Sequence, residues 1–444
     1  MSADRSKAYL LAVLMTVLAF NSVDRLALGL VLQDLKRDLS LSDSELGFLG
    51  GIAFTLFYSL MGIPIARWAD RGNRIIIIAG TTTLWSVMVA MYGLATNFWQ
   101  LFVLRVGTAV GESGCTPPAL SLIADRFGPV ERPRAIARYL LGGSLSVVVG
   151  YFVAGWLNEY VGWRLTFLLL GLPGIVPAAL AIFTLRDPRT SQAPNRARTA
   201  ISRADDSMVG VFKTLWRIPT LRYLLAAFAV SAFFFSGIMQ WQPTFFIRTY
   251  GFKTGELGTW LSLIYGVGGM LGLYLGGTLA SHRFADGERG QLRLLTIIYT
   301  VVAAVSPVIY LSANQYMSFG LLALTTIAQA TINAPLFAAI LALVPERTRA
   351  TAVSLIYLVA NLIGVGLGPW AAGVASDALH AWAGSNSLRY TLLSMCPGYL
   401  FVGLMLLKGS STVTSDLKNA AREVHCANEF HDDHAVTCGP GEAG

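Results

Sequence analysis

Charged side chains are scarce in this sequence, in which Asp, Glu, Lys and Arg make up 13% of the 444 residues. Soluble globular domains usually carry about 25%. Hydrophobic residues account for 54% of the chain, and its mean hydropathy is +0.58. The shortage of charge and the apolar content together argue against a soluble domain and favour a polytopic membrane protein.

Signatures of enzymes and of metal sites are also missing. The sequence has no His-Glu-x-x-His pair, no glycine-rich phosphate loop ending in Lys and no nucleophile elbow. Its four cysteines form no disulfide framework, and the His and Cys residues near the C-terminus match no standard zinc spacing. We therefore expect no metal and no other cofactor, and an enzyme is disfavoured.

Long apolar runs dominate what is present. A membrane-spanning helix needs roughly 20 apolar residues. The sequence predicts twelve such spans, which we number one to twelve, at 8–32, 45–68, 75–96, 98–123, 135–157, 163–185, 220–246, 256–281, 291–312, 316–343, 350–373 and 388–407. Residues 1–185 then form an N-terminal six-helix half and 220–407 a C-terminal six-helix half. The Arg-, Ser- and Pro-rich segment 186–219 is predicted to be a cytoplasmic linker, and the polar tail 408–444 to be disordered.

The distribution of Arg and Lys orients these spans. With the N-terminus in the cytoplasm, the cytoplasmic segments hold 25 of the 33 Arg and Lys residues and the external segments hold 6. Positive charge accumulates in cytoplasmic loops, so both termini are predicted to be cytoplasmic in a multi-pass plasma membrane protein. The absence of any N-glycosylation sequon favours a bacterial inner membrane. This charge bias also accounts for the net charge of +8 without a nucleic-acid partner.

The two halves share a repeat. The stretches ERPRAIA at 131–137 and ERTRATA at 346–352 lie 215 residues apart, and Gly62 and Gly277, near the ends of spans two and eight, have the same offset. A six-helix unit repeated in one orientation is typical of transporters whose halves rock about a central site. The expected fold class is an all-α polytopic membrane protein with twelve transmembrane helices, in two six-helix halves related by pseudo-two-fold symmetry.

Several motifs carry a family resemblance. RWADRGNR at 67–74 resembles the signature that follows the second helix of the major facilitator superfamily, and LFVLRVG at 101–107 resembles the signature of its fourth helix. NSVDRLALG at 21–29 and GESGCTPPALSLIADRF at 111–127 are similar to the spinster branch of that superfamily. The resemblance implies the major facilitator fold. For this branch it implies lysolipid or sphingosine-phosphate substrates, with proton coupling in bacterial members.

Four ionisable residues lie deep in the predicted spans, namely Asp24, Arg25, Arg105 and Glu112. A charge at mid-bilayer costs roughly 2.5–3.5 kcal/mol on insertion scales, so such residues face a cavity or a partner. Neighbours in sequence point about 100° apart on a helix, so Asp24 and Arg25 are poorly placed to pair with each other. The helical rise puts Asp24 of span one level with Arg105 of span four. We predict an Asp24–Arg105 pair, with Arg25 reaching toward Glu112.

Two interpretations of these charges stay open. In the first, Glu112 and Asp24 couple transport to protons, while Arg25 and Arg105 bind a charged substrate group. An arginine drawn to a substrate phosphate would release its carboxylate to take up a proton. In the second, the charges only lock span one against span four. The equivalent positions of the second half are uncharged, so the fold does not require charges there, and we favour the first interpretation.

A cytoplasmic gate is predicted after span two, formed by Asp70, Arg71 and Arg74. Asp70 would meet the N-terminal end of a helix from the other half, where the helix dipole favours an anion. Asp125 and Arg126, at the inner end of span four, are predicted to join this gate. A solvated loop that follows the positive-inside rule would explain the arginines alone.

Amides and aromatic residues in the second-half spans are candidates for the wall of a substrate cavity: Gln240, Gln329, Asn333, Tyr357, Asn361, Phe235 and Trp241. An intramembrane amide can bind substrate, or it can join two helices by a hydrogen bond. An aromatic ring can hold an acyl chain, or it can pack against helices and lipid. Both interpretations remain open for every member of this set.

The function that the sequence predicts is proton-coupled secondary transport of an amphipathic, lipid-like small molecule, such as a lysophospholipid, by alternating access. A soluble organic anion or a drug remains an alternative substrate. A receptor on the transporter fold or a membrane-embedded lipid enzyme is less favoured. The expected partners are the substrate, protons and membrane lipids, and the expected state is a monomer.

Overall fold

The structure is a computed structural model that describes residues 3–188, 216–281, 287–344 and 349–429, except for the side chains of 3–4, 349–351 and 420–429. Most of the predicted linker and the last part of the predicted tail lie outside the described residues. The two predicted six-helix halves lie within the described residues, whereas most of the segment that joins them does not.

The twelve predicted spans are found as helices, several of them in two or three pieces. Spans one to four comprise, in order, Ala3–Asn21 with Val23–Leu39, Asp43–Gly50 with Ile52–Arg71, Arg74–Tyr92, and Phe98–Ser113 with Thr116–Arg126. Spans five and six share Arg132–Gly171, which is followed by Ile175–Thr184. Spans seven to twelve comprise, in order, Pro219–Tyr250, Thr254–Leu261 with Gly269–Ser281, Glu288–Leu311, Gln315–Leu343, Arg349–Ala360 with Gly368–Ala383, and Ser387–Met395 with Gly398–Glu429. The π-helical segments Ser262–Gly268 and Asn361–Leu367 join the pieces of spans eight and eleven.

The number of membrane crossings is consistent with twelve. Among the described residues, nine helical stretches are long and apolar enough to cross a membrane. Two of them, Arg132–Thr184 and Ala352–Asn419, have 53 and 68 residues and can cross twice. Each contains a glycine with a positive φ, 75° at Gly162 and 55° at Gly384, where the chain turns back. Span four, which is broken and carries two buried charges, completes the set.

Three spans of the N-terminal half are interrupted by a break in the helix. Span one breaks at Ser22, whose φ and ψ are −119° and 0°. Span two breaks at Gly51, with φ −105° and ψ −91°. Span four restarts at Thr116 with Pro117 and Pro118 in its first turn, where prolines are tolerated in a helix because their missing N–H groups would be unpaired anyway. These breaks lie beside the intramembrane charges and shape the space around them.

The last helix continues beyond the predicted end of span twelve. It runs from Gly398 to Glu429, so the tail is helical over 408–429 and not disordered there. Asp416 of this helix accepts a hydrogen bond of 2.9 Å from Thr220 N at the start of span seven. A carboxylate at this position caps the helix and offsets its dipole, which ties the first part of the tail to the C-terminal half.

Glycines bring the two halves into backbone contact along spans two, five, eight and eleven. A Cβ atom on Gly258 of span eight would overlap the carbonyl of Tyr151 in span five. One on Gly51 of span two would overlap the carbonyl of Gly366 in the π-helical segment of span eleven. Small residues allow this closeness between membrane helices, so glycines of spans five and eleven contribute contacts between the halves.

A set of hydrogen bonds between described residues of the two halves lies at one end of the molecule, which we call the closed end. It comprises the segment between spans one and two, the end of span five, the segment between spans seven and eight, and the end of span eleven. The Arg and Lys distribution predicts that the closed end is external.

Candidate functional site

Asp24 and Arg105 form a buried ion pair in the middle of the N-terminal half. Arg105 Nη1 lies 2.8 Å from Asp24 Oδ2, which confirms the contact predicted from the helical rise. Both side chains are at most 3% exposed. Arg105 Nε also donates to the carbonyl oxygen of Leu49, 3.1 Å away and close to the break in span two. One guanidinium therefore links spans one, two and four.

Arg25 and Glu112 form the second predicted contact. Arg25 Nη2 lies 3.0 Å from Glu112 Oε2. The Glu112 side chain is fully buried, whereas that of Arg25 is 33% exposed. Arg25 also donates to Ser22 Oγ at 2.9 Å, at the break in span one. Of the four central charges, Arg25 is the one that a solute can reach, and Glu112 lies behind it.

The carboxyl groups at this centre have unfilled hydrogen-bonding capacity. Neither oxygen of Glu112 accepts a hydrogen bond of normal geometry from a described residue, and Asp24 Oδ1 is in the same state. The Arg25–Glu112 contact is thus an ion pair without an aligned hydrogen bond. A buried polar atom without a partner costs about 1–3 kcal/mol. These oxygens can therefore accept further hydrogen bonds.

The ring of Phe54 lies against both arginines. The Cζ atoms of Arg105 and Arg25 are 4.5 and 4.9 Å from its centroid, which is cation–π distance. Phe54 is buried in span two, shortly after the break at Gly51. The sequence analysis did not identify it, because one more aromatic residue in an apolar span carries no distinguishing signal.

Two of the residues predicted to form a cytoplasmic gate, Arg74 and Asp125, contact each other. Arg74 is fully buried, and its guanidinium contacts Asp187 at 2.5 Å and Asp125 at 2.7 Å. Arg74 Nη1 also donates to Ser121 at 3.0 Å. Arg74 therefore ties the start of span three to span four and to Asp187, which directly follows span six. Asp187 was missed, although it follows span six on the predicted cytoplasmic side.

The other residues of the predicted gate lie at the surface of the same end. Asp70 and Arg71 are exposed at the end of span two. Arg126 Nη2 donates to the carbonyl oxygen of Arg186, directly after span six. The contact of Asp70 with a helix of the other half stays a prediction.

Trp241 packs between helices, which is one of the two roles left open for it. It is fully buried, and its Nε1 donates to the carbonyl oxygen of Pro369 at 2.8 Å. The indole therefore packs span seven against span eleven. Gln240, the preceding residue, lies against the backbone of Gly29 and Gly50 in the other half. This position places Gln240 at the contact between the halves.

Phe235 and Gln329 line a small polar chamber inside the C-terminal half. In its wall, Tyr265 donates to Gln242 Oε1 at 2.5 Å, and Gln242 Nε2 donates to the hydroxyl of Tyr310 at 3.2 Å. This network joins spans seven, eight and nine. Gln242 and Tyr310 were not singled out from the sequence, although buried amides in spans are expected to bind across helices.

The remaining candidates of the C-terminal half are accessible. Asn333 is exposed, Asn361 is partly exposed, and the Tyr357 side chain is 48% exposed. Tyr357 forms a ring cluster with Phe228 and Phe337, which lie 6.1 and 5.1 Å away between ring centroids. The cluster combines spans seven, ten and eleven. Within the described residues no group of His, Cys, Asp and Glu is placed to hold a metal ion.

A charged network that the sequence analysis missed joins the halves at the closed end. Asp43, at the start of span two, accepts two hydrogen bonds from Arg248 of span seven, at 2.7 and 2.9 Å. Lys36 and Ser376 also donate to Asp43, each at 2.6 Å. Asp43 is 1% exposed, so this carboxylate is surrounded by donors from both halves. Two cations next to it compensate for its burial.

Each half also caps a helix of the other half at the closed end. Asp377 of span eleven accepts a 2.7 Å hydrogen bond from Ser44 N in the first turn of span two. Glu159 of span five accepts one of 3.0 Å from Gly255 N in the first turn of span eight. A carboxylate at a helix N-terminus satisfies a free N–H and interacts favourably with the dipole. The two caps are related by the repeat, because spans five and eleven are equivalent, as are spans two and eight.

Comparisons of this chain with protein families, curated sequences and solved structures agree on one superfamily. A sequence profile described as Major Facilitator Superfamily matches residues 14–369. An MFS-type efflux pump of Mycolicibacterium smegmatis is 31% identical over 392 residues, which are 88% of this chain and 89% of that protein. Protein spinster homolog 1 of Xenopus laevis is 26% identical over 415 residues, covering 87% of this chain and 76% of the relative.

A solved structure is similar over nearly the whole chain. It is a bacterial homologue of the human lysosomal transporter spinster, in an inward-facing and unoccupied conformation. The TM-score is 0.82 and the sequences are 27% identical, with 93% of this chain and 98% of the other covered. The similarity therefore extends over both six-helix halves.

Proposed function

The chain belongs to the Major Facilitator Superfamily, and we propose that it is a proton-coupled transporter of an amphipathic, lipid-like substrate with a charged headgroup. Family and fold make it a membrane transporter and not an enzyme. The proposal adds the substrate class and the coupling ion. The observation that supports it most is the position of the partly exposed Arg25 in front of the fully buried Glu112.

Coupling follows from competition for Arg25. A phosphate or carboxylate that enters the cavity competes with Glu112 for the guanidinium, which binds such groups bidentately. Once Arg25 turns to the substrate, Glu112 is a buried carboxylate without a counterion. Burial of an unpaired charge is so unfavourable that the group binds a proton instead. Substrate on Arg25 and a proton on Glu112 therefore stabilise each other.

Asp24 and Arg105 form a second carboxylate–arginine pair, which as a pair is more deeply buried than Arg25 with Glu112, and we propose that its carboxylate also binds a proton. Asp24 Oδ1 has no hydrogen-bond donor among the described residues, so it can take a proton while Oδ2 stays near Arg105. Arg105 is held by Asp24 and by the Leu49 carbonyl. We assign Asp24 to proton binding and Arg105 to positioning span two.

Alternating access requires a site that opens to one side at a time. The halves are hydrogen-bonded at the closed end, and positive-inside charge places that end outside the cell. We therefore propose that the central site faces the cytoplasm in this structure, with both termini cytoplasmic, in a monomer of the bacterial inner membrane. The inward-facing conformation of the similar solved structure supports this orientation.

A lipid-like substrate suits the different character of the two halves. The N-terminal half carries the central charges, whereas the C-terminal half presents the ring cluster of Phe228, Phe337 and Tyr357. A headgroup at Arg25 and an apolar chain toward these rings would bury both parts of an amphipathic molecule. The likeness to spinster proteins supports the same class.

A drug or a soluble organic anion is the second candidate substrate. It is favoured by the 31% identity to the efflux pump of Mycolicibacterium smegmatis. Arg25 would bind a carboxylate as readily as a phosphate. The two candidates differ in whether an apolar chain contributes to binding.

Transport into proteoliposomes tests the proposal. We would impose a pH gradient with the membrane potential clamped, and follow a fluorescent lysophospholipid, a dicarboxylate and a hydrophobic dye, with empty liposomes as the control. The expected result is lysophospholipid movement that needs the gradient, stops with a protonophore and leaves the lipid chemically unchanged. Movement of the dicarboxylate or dye alone would support the second candidate. Gradient-independent movement of all three would contradict proton coupling.

A further inference from the structure

A groove of about 510 Å³ lies at the closed end between spans five and eight. This volume is within the range of ligand-binding pockets, about 300–1,000 Å³. Three residues near the ends of the helices, Glu159, Lys253 and Glu256, give the groove a charged rim, and Trp156, Trp260 and Leu263 give it an apolar wall. The groove is separate from the central charges and is not used by the proposed transport cycle.

The rim is charged but incompletely paired. Lys253 is 3.7 Å from Glu159, and its side chain is 78% exposed. Glu159 is already engaged by Gly255 N. Glu256 is exposed and makes no ion pair with a described residue. The rim thus offers one available cation and one available carboxylate, with a net charge of −1 over its three side chains.

The groove runs along the predicted membrane normal. Lys253 lies just before the first turn of span eight, and Leu263 is about 15 Å further along the helix at about 1.5 Å per residue. Trp156 stacks on Tyr160, and Trp260 stacks on Phe319. Tryptophan and tyrosine favour the level of the lipid headgroups. The rim therefore lies at headgroup level, and the wall leads into the hydrocarbon region.

Both halves contribute to the groove. Trp156 and Glu159 come from span five, and the other lining residues come from span eight and the residue before it. Trp156 Nε1 donates to Thr259 Oγ1 at 3.1 Å across the boundary. The groove in this form requires the closed end to be closed, so an occupant that binds here stabilises that state.

We propose that the groove binds a zwitterionic aminophospholipid of the outer leaflet. Its ammonium group would donate hydrogen bonds to Glu256, its phosphate would contact Lys253, and its chain would lie along Trp156, Trp260 and Leu263. A choline headgroup has no N–H to donate, and an anionic lipid without an amine is disfavoured by the net negative rim. The bound lipid is a structural ligand that holds the closed end, and it is not the transported substrate.

Lipid binding to the purified full-length protein tests this site. Delipidated protein in dodecyl maltoside would be titrated with dioleoyl phosphatidylethanolamine, phosphatidylcholine or phosphatidylglycerol. Bound lipid would be counted by native mass spectrometry, and the apparent melting temperature would be recorded. Phosphatidylethanolamine is expected to bind about fivefold more tightly than the other two and to raise the melting temperature.

Three variants assign the binding to the groove. Glu256→Gln is expected to weaken phosphatidylethanolamine binding about fivefold and to leave phosphatidylcholine unchanged. Lys253→Gln is expected to weaken both, because both contain the phosphate. Glu288→Gln is the matched control, since Glu288 is an exposed carboxylate in the first turn of span nine, outside the groove.

Equal binding of the three lipids would overturn the proposal, as would wild-type selectivity in Glu256→Gln. If that variant does not fold, Lys253→Gln tests the proposal instead. Unchanged binding of phosphatidylethanolamine and phosphatidylcholine by Lys253→Gln would equally exclude the groove as the binding site. Titration uses no pH gradient and no transport substrate. Failure of the transport proposal would therefore leave this result unaffected, and Glu112→Gln should bind phosphatidylethanolamine like the wild type.

Discussion

Arg25 Nη2 lies 3.0 Å from Glu112 Oε2, yet the two groups share no aligned hydrogen bond. The guanidinium is 33% exposed and is also held by Ser22, whereas the carboxylate is fully buried. A solute can therefore reach the guanidinium of Arg25. The Glu112 carboxylate loses its counterion only when the Arg25 side chain moves away from it. Removing the carboxylate and altering the cation should have different effects on transport.

Glu112→Gln should abolish accumulation driven by a pH gradient and leave exchange of substrate across the membrane intact. Glutamine keeps the shape and cannot be ionised, so Arg25 is always available to substrate and the coupling step is lost. Accumulation and counterflow in proteoliposomes would be measured from pH 5 to 8. Asp24→Asn is expected to lose accumulation in the same way.

The matched control for these variants is Glu131→Gln. Glu131 is an exposed carboxyl at the start of span five, and the ammonium of Lys7 lowers its pKa below its ordinary value. It is remote from the central charges, so the variant should accumulate substrate like the wild type. Wild-type accumulation by Glu112→Gln at every pH would remove Glu112 from the coupling mechanism.

Lysine substitutions should separate the two central arginines. Arg105→Lys should destabilise the protein by about 1.5–3 kcal/mol, because one ammonium cannot keep both Asp24 and the Leu49 carbonyl, and a charge-assisted hydrogen bond is lost. Arg25→Lys should leave stability nearly unchanged and weaken binding of an anionic substrate about tenfold, since the bidentate contact is lost. Apparent melting temperatures and substrate titrations of the two variants would be compared. Equal destabilisation by both would show that Arg25 is a structural residue like Arg105.

The central charges could be predicted from the sequence because they lie within one half. Spans one and four belong to the same six-helix unit and run in opposite directions, so the helical rise alone places Asp24 beside Arg105. The breaks at Ser22 and Gly51 were not predicted. A serine or a single glycine is compatible with a continuous membrane helix, and only packing decides whether the helix breaks there.

The closed end could not be predicted in this way. Arg248 was counted only as an external loop charge, and Asp43 was not singled out, although the two form a double hydrogen bond across the halves. Their contact depends on how two separate helical units dock, which no helical period encodes. For Arg74 the motif could be recognised from the sequence, but its partner could not. Asp187 lies 113 residues further along the chain, and no motif links the two positions.

Arg74→Gln should destabilise the N-terminal half by about 3–5 kcal/mol, the usual cost of breaking a buried ion pair on one side. Asp187 would remain fully buried without its counterion. The double variant Arg74→Gln/Asp187→Asn should recover part of the loss, because no unpaired buried charge remains. Arg71→Gln is the control from the same motif, since Arg71 is exposed. Chemical or thermal unfolding in detergent would measure all of them, and a cost for Arg74→Gln no larger than that for Arg71→Gln would contradict a structural role.

Arg248→Gln should shift the protein toward opening at the closed end. Asp43 would lose both hydrogen bonds from Arg248 of the C-terminal half. Lys36, which belongs to the same half as Asp43, would still neutralise the charge of the carboxylate. The contact between halves would then depend on Ser376 and the two helix caps. A buried charge pair of this kind has coupling energies of about 1.5–7 kcal/mol in protein complexes, enough to change the conformational populations at least tenfold.

Electron–electron distance measurements would detect this opening. Spin labels at Arg37 and Ser385, which are exposed on opposite halves at the closed end, should give a longer and broader distance distribution in Arg248→Gln than in the wild type. Arg164→Gln is the matched control, because Arg164 pairs with Asp38 at the same end but within one half. The control should keep the wild-type distribution. An unchanged distance in Arg248→Gln would show that the helix caps and glycine contacts close this end without the Asp43–Arg248 pair.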